Sequence, residues 1–254
     1  MKKMYIFFAV IIGIYIIMFA AQESVRTVQV IGSKITPNEA IALLTDGNER
    51  FVTGQQHYPN QDQSRRNLTS SKGQHPFATV ISCSDSRVPV EILFDRGIGD
   101  IFVVRVAGNV VDIDEAGSIE YGVDHLETPV LVVLGHTRCG AVTAVATKAK
   151  LHGKIPPLVD NIIPAVLKAQ EEHPHLKGEA LIEEAVKYNV WQAIEDLFKT
   201  SPISVGRIKY GKLKVVGAIY DIKTGKVSWL GEHPNQKTLL AEYGASTVTH
   251  PSAH

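Results

Sequence analysis

The chain has 254 residues, 44% of them hydrophobic and 20% charged, and its 26 basic and 26 acidic side chains leave a formal net charge of zero. That balance suits one compact globular domain with extensions and excludes a disordered or fibrous chain. Without residues 1–21, which include Lys2 and Lys3, the remainder carries a net charge of −2, so a nucleic-acid partner has no electrostatic support.

Lys2 and Lys3 lead into Met4 to Ala21 (MYIFFAVIIGIYIIMFAA), 18 residues without a charge. This stretch is short for a bilayer span and long for the apolar core of a signal peptide, so residues 1–21 read equally as an uncleaved membrane anchor or a cleaved signal. Ala20 and Ala21 offer a cleavage site, but Phe19 or Met18 would then fall where a small residue is preferred. Positive charge on the short N-terminal side keeps that side cytoplasmic. The sequence therefore predicts an exported protein, periplasmic or anchored to the outer side of the cytoplasmic membrane. Residues 22–34 read as a linker.

Thr36-Pro37-Asn38-Glu39 marks a helix start, with Thr36 as N-cap, Pro37 in the first turn and Glu39 placed to close a capping box. Tyr58 to Gly73 is polar and irregular and reads as an arm or long loop. Phe77 to Ile81 is a short apolar run with β-branched residues, a buried strand ending at Cys83, and a short helix is expected from Val88 to Phe94. Ile101 to Val106 predicts a second strand, followed by a loop at Gly108 and Asn109 and a helix from about Glu115 to Leu126. Pro129 to Leu134 is uniformly apolar, as strands covered on both faces are.

A helix is expected from Gly140 to Ala149, which puts Cys139 at its N-terminus, where the dipole favours a thiolate. Two further helical patterns span about Pro157 to Ala169 and Glu179 to Lys199. Lys212 to Ile222 and Val227 to Leu230 read as strands joined by a turn at Lys223-Thr224-Gly225-Lys226. The tail 246–254 reads as frayed. Strands interleaved with helices predict an α/β domain around a mainly parallel sheet, whose ligand sites lie at the carboxyl ends of the strands.

Two stretches at such strand ends carry the chemistry. Cys83-Ser84-Asp85-Ser86-Arg87 combines a thiol, a carboxylate and a guanidinium, and His136-Thr137-Arg138-Cys139 adds an imidazole and the second of the chain's 2 cysteines. Two thiolates and one imidazole suit Zn²⁺, and three protein ligands leave a fourth tetrahedral position for water or a nearby carboxylate, whereas structural zinc sites normally have four protein ligands. In an exported chain the two cysteines would by default pair as a disulfide. That pairing leaves His136 and the Asp85/Arg87 pair without a part.

Cys83-Ser84-Asp85-Ser86-Arg87, with His136-Thr137-Arg138-Cys139 beginning 53 residues after Cys83, resembles the signature of the β-class carbonic anhydrases. The similarity continues through Phe102-Val103-Val104-Arg105, Ala107-Gly108-Asn109 and Ser118-Ile119-Glu120-Tyr121, and covers roughly Thr36 to Leu230. It implies that residues 35–245 form a domain with four parallel strands and a fifth antiparallel one, flanked by helices. It also implies a zinc lyase interconverting carbon dioxide and bicarbonate, built as a dimer or a multiple of dimers.

Under this resemblance Cys83, His136 and Cys139 match the zinc ligands, one ion per chain, and Asp85 and Arg87 the family's dyad. Gln74, Phe102 and Tyr121 match positions lining the substrate pocket in plant-type members, and Gly140 matches a backbone donor. Zinc lowers the pKa of its water to about 7, giving a hydroxide that attacks carbon dioxide at neutral pH. Asp85 is expected either to take the fourth zinc position or to turn to Arg87, and a bidentate pair favours the second, open state.

Overall fold

The computed structural model describes residues 35–244. The expected anchor or signal at 1–21, the linker at 22–34 and the tail at 246–254 lie outside the described residues. Among the described residues no helix is long and apolar enough to cross a membrane.

The first helix, α1 (Pro37–Thr53), starts on the expected capping box: Glu39 N–H donates to Thr36 Oγ1 at 3.3 Å and Thr36 N–H to Glu39 Oε2 at 2.7 Å. The segment read as a polar arm contains a second helix, α2 (Gln63–Lys72), capped by Asp62, which accepts from Arg65 N–H at 2.7 Å. None of its residues is buried. It is held instead by charge, since Arg65 reaches Asp100 at 3.0 Å and Asn60 donates to the same carboxylate at 2.8 Å. The preceding loop is pinned in the same way. Asp95 accepts from Arg50 at 2.6 Å and from the amides of His57 and Tyr58 at 3.0 Å each.

Strand β1 (Ala78–Cys83) follows, then a short helix α3 (Val90–Leu93), strand β2 (Ile101–Val106) and a 3₁₀ turn at Ala107–Asn109. The helix expected over 115–126 is α4 (Ile113–Glu120), which widens into a π-helical turn at Tyr121–His125. Strand β3 (Val130–His136) leads to α5 (Gly140–Ala146), α6 (Ile155–Asp160), α7 (Ile163–Glu172) and the long α8 (Gly178–Thr200). The pattern expected as one helix over 157–169 is two, because Pro164 in the first turn of α7 cannot donate into a continuing helix. Helix α9 (Pro202–Lys209), strands β4 (Lys214–Tyr220) and β5 (Val227–Gly231), and α10 (Gln236–Tyr243) complete the described chain.

The sheet order is β2-β1-β3-β4-β5, with β2, β1, β3 and β4 parallel and β5 antiparallel to β4. This is the expected sheet of four parallel strands and a fifth antiparallel one. Every residue of β1 and β3 is buried, which is why both read as unbroken apolar runs. Helix α8 lies close against β3 and β4 because two glycines leave room: a Cβ on Gly135 would stand 2.7 Å from Val190 Cγ2, and one on Gly217 2.8 Å from Val190 Cγ1. One core cluster joins Leu131 and Val133 of β3 to Ile194, Leu197 and Phe198 of α8. A second gathers Cys83 and Cys139 with Val142, Ile162, Val166 and Val186, so the carboxyl ends of β1 and β3 open into an apolar surround.

Candidate metal centre

Cys83 is the last residue of β1 and His136 the last of β3. These two strands are neighbours in the sheet, and parallel pairing brings their carboxyl ends together. Cys139 caps the N-terminus of α5 immediately after β3. Both cysteines are unpaired and buried, as is His136. The two sulfurs and a ring nitrogen of His136 all lie within 4.8 Å of one another.

The donor chemistry fits a metal ion. His136 Nδ1 stands 3.0 Å from the Thr137 carbonyl, which can only accept, so Nδ1 carries the proton and Nε2 offers its lone pair. Nε2 is fully buried and has no hydrogen-bond partner among the described residues. A buried acceptor left bare in this way costs stability unless something binds it, and two thiols within reach complete the explanation. Two thiols this close titrate as a pair. The Cys139 thiol donating to Cys83 draws the latter down to about 4 against the opposing effect of burial, with the Gly108 amide adding to the shift. The same hydrogen bond and burial push Cys139 up. The site thus holds one thiolate readily, and a second forms when a cation replaces the shared proton.

Asp85 and Arg87 stand at the mouth of this cluster. Arg87 Nε donates to Asp85 Oδ1 at 2.9 Å and Nη2 to Oδ2 at 2.7 Å, the bidentate pair expected from the sequence, while the Arg87 amide adds a third bond at 2.9 Å. These bonds, led by the guanidinium, hold the Asp85 carboxyl well below the usual carboxylate range despite partial burial. Asp85 Oδ2 remains 3.9 Å from His136 Nε2. Arg87 Nη2 also reaches the Arg138 carbonyl at 3.3 Å and so ties the two half-sites together.

The remaining expected site residues are placed differently. Gly140 opens α5 beside Cys139, exposed, with open space on its side-chain face. Phe102 pairs with Thr79, four residues before Cys83 in β1, a distance of about 13 Å along the strand. Tyr121 packs on Phe102 with ring centroids 5.8 Å apart, and Gln74 is exposed in the loop before β1. Within one chain these three lie toward the amino end of the sheet, away from the cluster.

A family model described as Carbonic anhydrase matches residues 78–227. Carbonic anhydrase 2 of Mycobacterium tuberculosis is 39% identical over 195 residues, covering 75% of this chain and 91% of the relative. The chain belongs to the β-class carbonic anhydrases. It is an enzyme, a lyase. The β-carbonic anhydrase CafA of Aspergillus fumigatus superposes with a TM-score of 0.65 at 27% identity, over 74% of this chain and 91% of that one. A tetrameric β-carbonic anhydrase of Sordaria macrospora does so at 0.61 and 27%, over 66% and 87%.

Three features of this carbonic anhydrase's site carry no role in the sequence reading. Arg105 of β2 donates to the Cys83 carbonyl at 3.2 Å and the Asp85 carbonyl at 2.7 Å, clamping the loop between ligand and dyad. Gly108 N–H donates to Cys83 Sγ at 3.2 Å, and Asn189 of α8 donates to the Gly108 carbonyl at 2.7 Å. The only trace of the last in the sequence is a polar residue inside the apolar stripe Ala185, Val186, Val190 and Ala193.

Proposed function

We propose that the chain reversibly hydrates carbon dioxide to bicarbonate and a proton with one Zn²⁺ per chain, held by Cys83, His136 and Cys139. The observation that carries this reading is the bare, buried Nε2 of His136 facing two buried thiols, with a carboxylate held beside it by arginine. Two sulfurs and one imidazole favour zinc among the common divalent ions. When bound, zinc supplies the Lewis acidity that brings the pKa of a water to about 7.

The chain's own residues do the rest. Arg87 holds Asp85 in a bidentate pair, so that this carboxylate would not itself ligate a metal held by the three ligands. The free lone pairs of Asp85 accept a hydrogen bond from the attacking water and orient it toward the carbon of carbon dioxide. Because Asp85 stays ionised far below neutral pH, it orients without storing the proton, which passes on to solvent or buffer. The Gly140 amide is suited to donate to a substrate oxygen.

Gln74, Phe102 and Tyr121 serve the pocket through a second copy. β2 is an edge strand among the described residues, and a two-fold axis beside it would pair it with its own copy running the opposite way. That reversal brings Phe102 and Tyr121 of one chain toward the Val106 end of the other, next to Cys83. The tetrameric relative supports assembly as a dimer or a dimer of dimers. The lysine-flanked apolar stretch at residues 4–21 supports export, to the periplasm or to the outer side of the cytoplasmic membrane, for a domain spanning 35–245.

Stopped-flow carbon dioxide hydration from about pH 6.5 to 9, bracketing the pKa expected for zinc-bound water, with metal analysis of the same sample, tests the reading. One zinc per chain and turnover already present at neutral pH are expected. Zinc with turnover only above about pH 8 would mean that Asp85 closes the site, and zinc with no turnover at any pH would reject carbon dioxide as the substrate.

A further inference from the structure

Gly108 sits in the 3₁₀ turn with φ 78°, a left-handed conformation that glycine adopts at no steric cost. A side chain is also excluded there, because a Cβ would stand 2.6 Å from Ile162 Cδ1 and 3.2 Å from Ala141 Cβ. The missing side chain lets the Gly108 amide approach Cys83 Sγ to 3.2 Å. The same freedom leaves the turn with little of its own to fix its orientation, since glycine is the least restrained residue in the chain. The restraint comes from another element. Asn189, 2% exposed on α8, donates from Nδ2 to the Gly108 carbonyl at 2.7 Å and so fixes the peptide plane that follows the amide.

Burying an amide side chain in the middle of an apolar helix face is costly unless its hydrogen bonds are made. The neighbours of Asn189 on that face, Ala185, Val186, Val190 and Ala193, are all apolar and buried. A leucine there would suit the core better, so the placement of an amide calls for a role, and its partner is a turn whose own amide donates to a ligand sulfur.

We infer that Asn189 is a positioning residue of the metal centre: by fixing the Gly108 carbonyl it holds the Gly108 N–H on Cys83 Sγ and so sets the charge that this sulfur presents to a bound metal. The inference rests on the reading of Cys83 as a ligand. An N–H donor withdraws charge from a thiolate and restricts its direction. Groups that hold a ligand in this way typically change metal affinity by about 10- to 100-fold when removed.

The test uses the full chain loaded with Co²⁺, whose thiolate charge-transfer absorption reports the sulfur directly, together with metal affinity measured by competition with a chromophoric chelator. Asn189→Leu, of similar volume and without a donor, should weaken the metal by about 10- to 100-fold and move the charge-transfer band to longer wavelength, because the unsupported sulfur is more electron-rich. Asn189→Asp, isosteric but unable to donate when ionised, should shift both readouts the same way and stands in if the leucine variant does not fold. Ile194→Val, a core change on the same helix, lowers thermal stability but should move neither the band nor the affinity.

Wild-type band position and affinity in the Asn189 variants would overturn the inference, as would equal shifts in Ile194→Val. Cys83→Ser separates the two layers of the argument. If it weakens the charge-transfer band while the Asn189 variants leave it unchanged, only the positioning role fails; if it leaves the band intact, Cys83 is no ligand and both fail.

Discussion

At the carboxyl end of the sheet Cys83, His136 and Cys139 are 4%, 0% and 1% exposed, enclosed by apolar side chains and held by backbone partners. Toward the amino end Tyr121 is 44% exposed, stacked on a half-buried Phe102 beside a strand edge unpaired among the described residues, with Gln74 reaching into solvent. One end is a finished binding site for a cation. The other presents aromatic surface away from the ligand cluster of its own chain. The contrast teaches that burial together with backbone hydrogen bonds within one chain can prepare ligands for a metal, whereas a substrate pocket needs walls, and on the proposed pairing those walls come from a second copy.

Removing a ligand should break the contrast most severely. His136→Ala should abolish metal binding and lower hydration by more than about 100-fold, beyond the loss typical of a supporting group; full metal content by plasma emission spectroscopy would exclude His136 as a ligand. Asp85→Asn should keep the metal while lowering turnover by roughly 10²-fold or more, the cost of losing the orientation of a reacting group. Undiminished turnover would remove Asp85 from the mechanism.

Asp95 sharpens the comparison from the other side, as a carboxylate whose bonds are all structural. Burial would raise its pKa, but the His57 amide, Arg50 and the Tyr58 amide overcome that and hold it low. Its folded-state pKa lies below the unfolded value of about 3.9, so its contribution is fully present above that pH and is lost as pH falls through the folded value. Asp95→Ala should cost about 3–5 kcal/mol in urea unfolding, as breaking a buried pair does, with the metal site's affinity unchanged; a stability loss that persisted unaltered at pH 2 would contradict this linkage. The smallest effect is expected for Tyr121→Ala, about tenfold in kcat/KM, equivalent to roughly 1.4 kcal/mol of aromatic contact, with the metal retained. Loss of metal in that variant would mean that the amino end supports the ligands within the same chain.

Much of the carboxyl end was legible in the sequence, because β1 and β3 are buried on both faces and therefore read as apolar runs that stop at Cys83 and His136. The Asp85/Arg87 dyad came with the resemblance, and of the two placements left open for Asp85 the structure shows the one bonded to Arg87. What could not be read depends on contacts across the fold. Helix α2 has no apolar period to reveal it, being fixed by Asp62, Arg65 and Asp100. Arg105 and Asn189 act on backbone atoms 20 and 81 residues away in the chain, and no local pattern marks a donor aimed at a distant carbonyl. The resemblance to β-class members supplied Gln74, Phe102 and Tyr121, but a motif does not say whose metal a residue serves.

That last point is open to a direct test. His136→Ala and Tyr121→Ala chains, differently tagged, co-expressed and purified through both tags, give mixed dimers with one intact ligand set facing one intact aromatic wall. If each site is shared across the two-fold axis, these dimers should recover about half of wild-type hydration per dimer, well above either parent. Activity no higher than the Tyr121→Ala enzyme supplies alone would show that each chain builds its whole pocket from its own residues, contradicting the account.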